Sequence, residues 1–341
     1  MRGRCTVALS GGVDSAVTAL LLKKDYDLFG MTLRLCEGFD PAGAEALCRR
    51  LDIPFEVLDA REGFRENVID PFIATYESGG TPNPCIFCNR TMKFPELLRL
   101  ADKNGSEKIA TGHYARVVRD GGRYLLCKAK DPKKDQSYVL AVLDQKVLSR
   151  LLLPLGEYSK DEVRELAREA GLRNAENPDS QDICFIPDGD YGKFIRETTG
   201  KTYPQGAFRD TDGKILGRHA GMLDYTIGQR RGLGLPLGYH AYVVSKNAET
   251  GDVVVGRNED LFSEKMYVKD LHLIAADSIP DGLKVSVKTR YSAKECPAAL
   301  YMTGEKELCC AFASPVRAVT PGQTAVFYDG EIVVGCGEIV G

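Results

Sequence analysis

Residues 10–15 read Ser-Gly-Gly-Val-Asp-Ser, and they lie between a strand-like stretch and a helix-like stretch. Residues 5–10 have the apolar character of a buried strand, and apolar residues then recur at helical spacing from Val13 onward. Two glycines let the backbone approach an anion closely, and a helix N-terminus presents N–H groups and the positive end of its dipole. The stretch therefore predicts a phosphate-binding loop rather than an ordinary glycine turn.

The side chains of this loop suit the same task. Ser10 and Ser15 add hydroxyl donors, and the Asp14 carboxylate can hold a magnesium ion on bound phosphates. The loop is not of the Walker type, because no lysine follows its glycines.

Strands and helices alternate on both sides of the loop. Residues 28–35, 55–59 and 108–111 are strand-like, and residues 42–51 and 93–104 have helical periodicity. This order predicts an α/β domain with a parallel sheet, which binds ligands at the carboxyl ends of its strands.

A helix is predicted at residues 160–170, capped by Ser159 and ended by Gly171. After this helix, the composition and the secondary-structure pattern of the chain change. Residues 174–192 are rich in Asp, Pro and Gly. Short β-type runs follow, at residues 285–289, 298–302, 311–312 and 324–327, and they favour a C-terminal β-barrel. We expect three domains, at residues 1–195, 196–265 and 266–341.

Composition limits the location and the class of the protein. The chain has 341 residues and a net charge of −3, so any nucleic acid must be held by local basic patches. No apolar run approaches the roughly 18 residues that span a bilayer, and no cleavable presequence is evident before the loop. We expect a cytoplasmic protein without a membrane partner.

Eleven cysteines without an export signal favour metal or redox chemistry over a disulfide framework. Cys85 and Cys88 form a Cys-x-x-Cys pair, which by itself is half of a zinc site, a redox pair or a cluster anchor. Cys184 lies in a turn-rich segment, where a thiol is more reactive than in a core. We expect core roles for the cysteines among apolar residues, namely Cys5, Cys36, Cys48, Cys127 and Cys336, and for the adjacent pair Cys309 and Cys310, of which one could be exposed.

Several motifs together resemble one known family, from about residue 5 to the C-terminus. SGGVDS resembles the PP-loop of ATP pyrophosphatases. With it come TPNPCIFCN, ATGHYA, KKDQSY, DSQDICFI, DYTIGQRRGLG, TRYSA and TPGQTAVFY, in the order seen in tRNA-specific 2-thiouridylases. The resemblance implies an N-terminal PP-loop domain, a small central domain and a C-terminal β-barrel. It also implies a sulfurtransferase that uses ATP and Mg²⁺ to adenylate the C2 oxygen of the wobble uridine in tRNAs for lysine, glutamate and glutamine. Sulfur from a cysteine desulfurase or a sulfur-relay protein then gives 2-thiouridine, AMP and pyrophosphate.

The resemblance also implies roles for individual residues, carried over motif by motif. Asp14 and the reactive thiols Cys88 and Cys184 would be catalytic, with Cys88 as the nucleophile and Cys184 as the persulfide carrier. The ATP site would comprise Ala8, Leu9, Ser10, Gly11, Gly12, Val13, Asp14, Ser15, Leu33 and Gly112. The tRNA would meet Asn83, Pro84, Cys85, His113, Lys134, Asp135, Gln136, Arg290, Tyr291 and Gln323.

Cys85 departs from the family pattern, in which many members have aspartate at this position. In one account Cys184 delivers persulfide sulfur and Cys88 resolves it as a disulfide. In the other, Cys85, Cys88 and Cys184 bind three irons of a 4Fe–4S cluster, and the fourth iron holds hydrosulfide. The sequence leaves both accounts open.

Basic runs could supply the RNA contacts that the net charge does not. One comprises Lys128, Lys130, Lys133 and Lys134 with Arg123 nearby, another Arg230 and Arg231, and a third Lys284, Lys288, Arg290 and Lys294. Two rival interpretations are a PP-loop synthetase that acts on a small molecule and a non-catalytic RNA-binding or metal-storage protein. The first would not need the paired cysteines, and the second would leave the phosphate loop unexplained.

Overall fold

The computed structural model describes residues 2–172 and 183–340. In its first part the strands are β1 (Gly3–Ala8), β2 (Tyr26–Arg34), β3 (Phe55–Asp59), β4 (Lys108–Ala110), β5 (Arg116–Asp120), β6 (Arg123–Cys127) and β7 (Leu151–Leu152). The helices are α1 (Val13–Leu22), α2 (Ala42–Leu51), α3 (Arg61–Phe64), α4 (Asp70–Glu77), α5 (Pro84–Cys88), α6 (Phe94–Asn104), α7 (Ser137–Leu140), α8 (Gln145–Leu148) and α9 (Lys160–Glu169). Two π-helical turns, Arg65–Ile69 and Asn89–Lys93, and a 3₁₀ turn, Pro154–Glu157, complete this part.

Five of these strands form a parallel sheet in the order β3-β2-β1-β4-β7. The central strand β1 is almost fully enclosed, with Cys5 at 0% and Val7 at 1% exposure. Such burial on both faces is what a parallel sheet covered by helices requires. The predicted α/β domain with a parallel sheet is therefore confirmed.

Helix α9 begins as its sequence predicts. The Ser159 hydroxyl accepts from the Glu162 backbone N–H, and the Glu162 carboxylate accepts from the Ser159 N–H at 2.7 Å, which completes a capping box. Such a cap stabilises a helix start by about 1 kcal/mol. It also fixes the direction in which the first residue of α9, Lys160, projects.

The middle of the chain contains α10 (Tyr191–Thr199) and the strands β8 (Gly206–Arg209), β9 (Ile215–His219), β10 (Tyr242–Lys246) and β11 (Val253–Gly256), with short 3₁₀ turns at Met222–Asp224 and Asn258–Leu261. The strands form a separate four-stranded sheet in the order β10-β11-β8-β9. Its apolar face packs around Phe208, Val243 and Val255. A small central domain is thus present, as expected.

The last strands are β12 (Phe262–Leu273), β13 (Leu283–Lys288), β14 (Cys296–Gly304), β15 (Glu307–Arg317), β16 (Thr324–Asp329) and β17 (Ile332–Val340). They run in the order β12-β15-β14-β13-β16-β17, and β17 pairs back with β12, so the sheet closes into a barrel. Closure leaves no free sheet edge in the barrel itself. A hairpin of β5 and β6 is attached to β17, where Cys127 pairs with Ile332. The predicted C-terminal barrel is confirmed.

One core assignment is wrong. Cys5, Cys48, Cys127 and Cys336 are buried, but Cys36 is only half-buried. It lies two residues beyond the end of β2, at the carboxyl edge of the parallel sheet, where the chain leaves the core. Of the adjacent pair, Cys310 is buried and Cys309 is half-buried, because neighbouring residues in a strand face opposite sides.

Within residues 2–172 and 183–340, no helix is long and apolar enough to cross a membrane. Residues 173–182, including 179–182 of the DSQDICFI motif, lie outside the described residues. The predicted domain boundaries at residues 195 and 265 stay predictions.

Candidate functional site

The SGGVDS loop connects the carboxyl end of β1 to the start of α1, as predicted. Gly11 has φ +80°, a left-handed conformation that favours glycine, and Gly12 is the N-cap of α1. The hydroxyls of the loop bond to the loop itself, because the Ser15 Oγ donates to the Gly12 carbonyl at 3.0 Å and accepts from the Ser10 N–H at 3.2 Å. These hydrogen bonds help to hold the shape of the loop.

Gly112 packs directly against this loop. A Cβ atom at this position would lie 2.9 Å from the Asp14 carbonyl carbon and 2.9 Å from the Ser15 nitrogen, both of them backbone atoms that cannot easily move. Only glycine therefore lets the end of β4 meet the phosphate loop. Leu33 lies one residue before the end of β2, on the other side of β1. The structure thus brings the predicted ATP-site residues together at one edge of the sheet.

The Asp14 carboxylate is held by two partners that the sequence analysis did not identify. The Lys160 ammonium donates to its Oδ1 and Oδ2 atoms at 2.7 and 2.8 Å, and the Tyr114 hydroxyl donates to Oδ1 at 2.7 Å. A magnesium ion at Asp14 would have to share the carboxylate with both groups. The role of Asp14 in metal binding stays a prediction.

The Cys-x-x-Cys pair lies in the short helix α5. Asn83 caps this helix by accepting from the Cys85 N–H at 3.1 Å, and Pro84 occupies its first turn, where its missing N–H costs nothing. Cys85 is exposed, whereas Cys88 points into the core and is 9% exposed. The two thiols therefore differ in access, although they are three residues apart.

Cys184 is placed beside this pair by its neighbour Phe185. The Phe185 ring contacts Phe64, Phe72 and Phe194 at centroid distances of 5.5, 5.5 and 5.3 Å, and Cys88 belongs to the same apolar cluster. Each aromatic contact of this kind contributes about 1 kcal/mol beyond burial. The buried ring therefore anchors the exposed Cys184 next to α5, as the resemblance implies.

The thiols raise one another's pKa through electrostatic interactions. Although Cys184 is exposed at the surface, the protein around its sulfur displaces water, and this desolvation raises the pKa of the thiol to about 12. The nearby sulfurs of Cys88, Cys85 and Cys36 raise the pKa of Cys184 further. Desolvation likewise raises the pKa of Cys85 and of Cys88, and the ammonium of Lys93 lowers the pKa of all three thiols. Cys36 thus belongs to this group of thiols rather than to a core.

The raised pKa of Cys184 makes a measurable prediction. Only the thiolate reacts with iodoacetamide, so a thiol with a pKa of about 12 should alkylate about ten times faster for each pH unit between 8 and 10, without reaching a plateau. Peptide mapping by mass spectrometry at several pH values would give the rate for this residue. Free cysteine, whose pKa is about 8.5, serves as the control and should level off above pH 9. A plateau for Cys184 below pH 9 would contradict the prediction.

A metal centre at the thiols gains no support. In the part of the chain that the structure describes, no group of three or more His, Cys, Asp or Glu side chains is placed to hold a metal ion. The residues as they stand do not form a ready ligand set for the predicted iron–sulfur cluster, and that account stays a prediction.

Most residues that were predicted to meet tRNA converge where the barrel touches the N-terminal domain. The Gln323 side chain donates to the Thr81 carbonyl at 2.8 Å, so it ties the loop before α5 to the barrel. The Tyr291 hydroxyl donates to the Asp135 carbonyl at 3.4 Å. The pKa of Tyr291 is raised mainly by burial, then by the Asp135 carboxylate, and to a smaller extent by the nearby Cys85. Residues of three separate motifs therefore surround one surface beside the exposed Cys85.

The residues in this group have different freedom to contact a ligand. The Asp135 carboxylate accepts from the N–H groups of Ala129 and Ser137 at 3.0 and 3.2 Å, which makes it part of a turn. His113 stacks on Phe94 with ring centroids 6.0 Å apart, and burial followed by the Lys93 charge holds the pKa of His113 well below its usual range. The imidazole is therefore neutral at pH 7. Arg290 donates to the Ala318 carbonyl at 3.3 Å.

Two residues of the predicted basic runs serve the structure instead. Lys128 pairs with Glu295 at 2.7 Å, and Arg123 pairs with Asp277 at 2.9 Å. These ion pairs join β6 and its hairpin to the barrel, so both charges are largely compensated.

Three residues of the site, Tyr114, Lys93 and Lys160, were not predicted from the sequence. Tyr114 lies within the ATGHYA motif and Lys93 follows Cys88 by five residues, so nearby motifs could have indicated both. The sequence around Lys160 contains no motif that would place it at the phosphate loop.

Family models cover nearly the whole chain. Residues 3–188 match the tRNA methyl transferase HUP domain, residues 192–257 match the tRNA methyl transferase PRC-barrel domain, and residues 263–339 match the aminomethyltransferase beta-barrel domain. The first match covers the parallel sheet and the β5–β6 hairpin, the second covers the four-stranded sheet, and the third covers the barrel strands.

Curated relatives are similar over their full length. The chain is 44% identical to a protein of Lachnoclostridium phytofermentans, with 99% of both chains covered. It is also 44% identical to one of Clostridioides difficile and 46% identical to one of Carboxydothermus hydrogenoformans, with 99% of this chain and 98% of each relative covered. All three bear the name tRNA-specific 2-thiouridylase MnmA.

Proposed function

Since the chain belongs to the family of tRNA-specific 2-thiouridylases, we propose that it is an ATP-dependent tRNA sulfurtransferase that converts a uridine of tRNA to 2-thiouridine. We propose further that its substrates are the wobble uridines of tRNAs for lysine, glutamate and glutamine. A cysteine desulfurase or a sulfur-relay protein supplies the sulfur, and the reaction takes place in the cytoplasm.

One observation carries this proposal: a phosphate loop held by its own hydrogen bonds and a group of thiols occur in the same domain, and the exposed Cys85 borders a surface shared with the barrel. Phosphate binding alone would suit a synthetase for small molecules. Such an enzyme has no need for three neighbouring thiols or for a barrel that docks on the loop before them. Transfer of sulfur to an adenylated, large substrate uses all of these parts.

The first step makes a leaving group. The C2 oxygen of uridine attacks the α-phosphorus of ATP, the bond to pyrophosphate breaks, and the oxygen becomes part of AMP. The N-terminus of α1 and the N–H groups of the loop stabilise the charge on the phosphates. Magnesium, when bound, would neutralise phosphate charge near Asp14.

The second step transfers sulfur. The terminal sulfur of a persulfide on Cys184 attacks C2, and AMP leaves with the former C2 oxygen. The Cys88 thiolate then attacks the Cys184 sulfur, which releases 2-thiouridine and leaves a disulfide between the two cysteines. A dithiol reductant must reduce this disulfide before the next turnover. Cys88 is buried in the apolar cluster that also holds Phe185, whereas Cys184 lies at the exposed edge of that cluster, where a sulfur donor can reach it.

Thiolation in vitro tests the function directly. Purified protein, ATP, Mg²⁺, a desulfurase with cysteine, and transcripts of the three tRNAs should yield 2-thiouridine by nucleoside mass spectrometry. A transcript whose wobble uridine is replaced by cytidine is the control. Absence of 2-thiouridine under these conditions, with ATP still bound, would refute the proposal.

The cluster account is tested in the same assay. Protein purified without oxygen should contain little iron and labile sulfide, and it should thiolate tRNA fully after treatment with an iron chelator. Near-stoichiometric iron, with activity that disappears on removal and returns on reconstitution, would instead favour a cluster on Cys85, Cys88 and Cys184.

A further inference from the structure

A buried lysine from a distant helix reaches the phosphate loop. Lys160 is the first residue of α9 and is only 5% exposed, yet its ammonium lies 2.7 Å from the Asp14 carboxylate. Asp14 is the second residue of α1, two positions after Gly12, the last glycine of the loop. A positive charge contributed from 146 residues away thus lies beside the N-terminus of α1.

The loop itself has no positive side chain. Residues 8–15 read Ala-Leu-Ser-Gly-Gly-Val-Asp-Ser, and their only charge is the negative one of Asp14. An uncompensated carboxylate at this position would repel the triphosphate of ATP. Enzymes that transfer groups from nucleotides usually place a lysine or arginine at the phosphates, because it stabilises both the bound nucleotide and the developing charge.

The position of Lys160 is fixed from several sides. The capping box of Ser159 and Glu162 orients the start of α9, and the Tyr114 ring lies 5.8 Å below the ammonium. The Tyr114 hydroxyl shares the Asp14 carboxylate with Lys160 at 2.7 Å. Burying an ammonium is costly unless it is paired, so a lysine held here by a carboxylate and an aromatic ring is unlike a surface lysine that happens to lie nearby.

We infer that Lys160 is a phosphate-binding residue of the ATP site and supplies the cation that the loop lacks. This inference rests on the proposed function, in that the nucleotide is ATP. Asp14 holds the ammonium beside the loop, and the ammonium binds the phosphates when the nucleotide is present. Lys160 therefore acts on the nucleotide itself and does more than neutralise Asp14.

Binding measurements on the full chain test this role. By isothermal titration calorimetry, Lys160→Met should bind Mg²⁺–ATP at least about tenfold more weakly than the wild type, and Lys160→Arg should stay within about threefold. Affinity for adenosine, which has no phosphates, should change less than twofold in both variants. Lys103→Met is the control, because Lys103 pairs with Glu56 on the surface and should leave both affinities unchanged. Unchanged ATP binding by Lys160→Met, or an equal loss of ATP and adenosine, would overturn the inference.

A double variant separates phosphate binding from simple charge neutralisation. If Lys160 binds the phosphates, Asp14→Asn combined with Lys160→Met should bind ATP as weakly as Lys160→Met alone. If the lysine only neutralised Asp14, removing that carboxylate would restore ATP affinity, and this result would overturn the inference. Failure of the proposed function would look different, since the wild type would then bind ATP and leave tRNA unthiolated.

Discussion

Replacement of Cys184 by serine is expected to lower tRNA thiolation by at least about a thousandfold while ATP binding stays intact. Serine has nearly the same size but cannot carry a persulfide, so the step that delivers sulfur is lost, and loss of a covalent nucleophile typically costs this much or more. Phe185 remains in its aromatic cluster, and the local fold should therefore persist. Single-turnover assays that count 2-thiouridine by mass spectrometry would measure the effect, with pyrophosphate release followed in parallel.

A matched control is available in the barrel. Cys309 is half-buried and lies in β15, away from the thiols around α5, so Cys309→Ser should thiolate tRNA at the wild-type rate. If Cys184→Ser kept more than about a tenth of the activity, the persulfide could not be carried by Cys184. The role of Cys184 would then have to pass to another accessible thiol of the group, such as Cys36 or Cys85.

Replacement of Gly112 by alanine is expected to weaken ATP binding by about a hundredfold. The new Cβ would lie 2.9 Å from the backbone at Asp14 and Ser15, closer than side chains tolerate. Since both neighbours are backbone, either the end of β4 or the phosphate loop must move, and a shift of this kind in a site that depends on fixed N–H groups is costly. Calorimetric titration with Mg²⁺–ATP would report the loss.

Gly304 offers the corresponding control. A Cβ there would first meet the flexible Glu307 side chain at 3.4 Å, on the outside of the barrel, so Gly304→Ala should bind ATP normally. Comparison of melting temperatures would separate a local shift from unfolding. Wild-type ATP affinity in Gly112→Ala would mean that the loop does not depend on this close packing.

The group of thiols shows which site residues local sequence can indicate and which only the fold brings to the site. Sequence motifs indicate Cys85, Cys88 and Cys184, because prolines, spacing and polar neighbours mark them locally. Cys36 has apolar neighbours and therefore has the sequence character of a core residue, yet it lies at the carboxyl edge of the sheet near Cys184. Local composition describes the neighbours of a residue along the chain, whereas its reactivity depends on neighbours in space.

The barrel shows a similar division. The runs that the sequence indicates are shorter than the strands, and Phe262–Leu273 and Ile332–Val340 carry no clear alternation that would predict them. β12 carries polar residues on its outer face and has register shifts in its pairings with β15 and β17. Such irregularities interrupt the period of two on which strand prediction depends.

By itself, the sequence determined the elements whose causes are local. These are the glycine loop between strand and helix, the Ser159 cap before α9, the parallel α/β order, and the Cys-x-x-Cys pair of Cys85 and Cys88. Only the tertiary structure decided which distant groups complete them: Lys160 and Tyr114 at Asp14, Cys36 beside Cys184, and Gln323 on the loop before α5. The physical reason is that hydrogen bonds, close packing and electrostatic effects act over a few ångströms in space, and chain folding sets those distances independently of separation along the sequence.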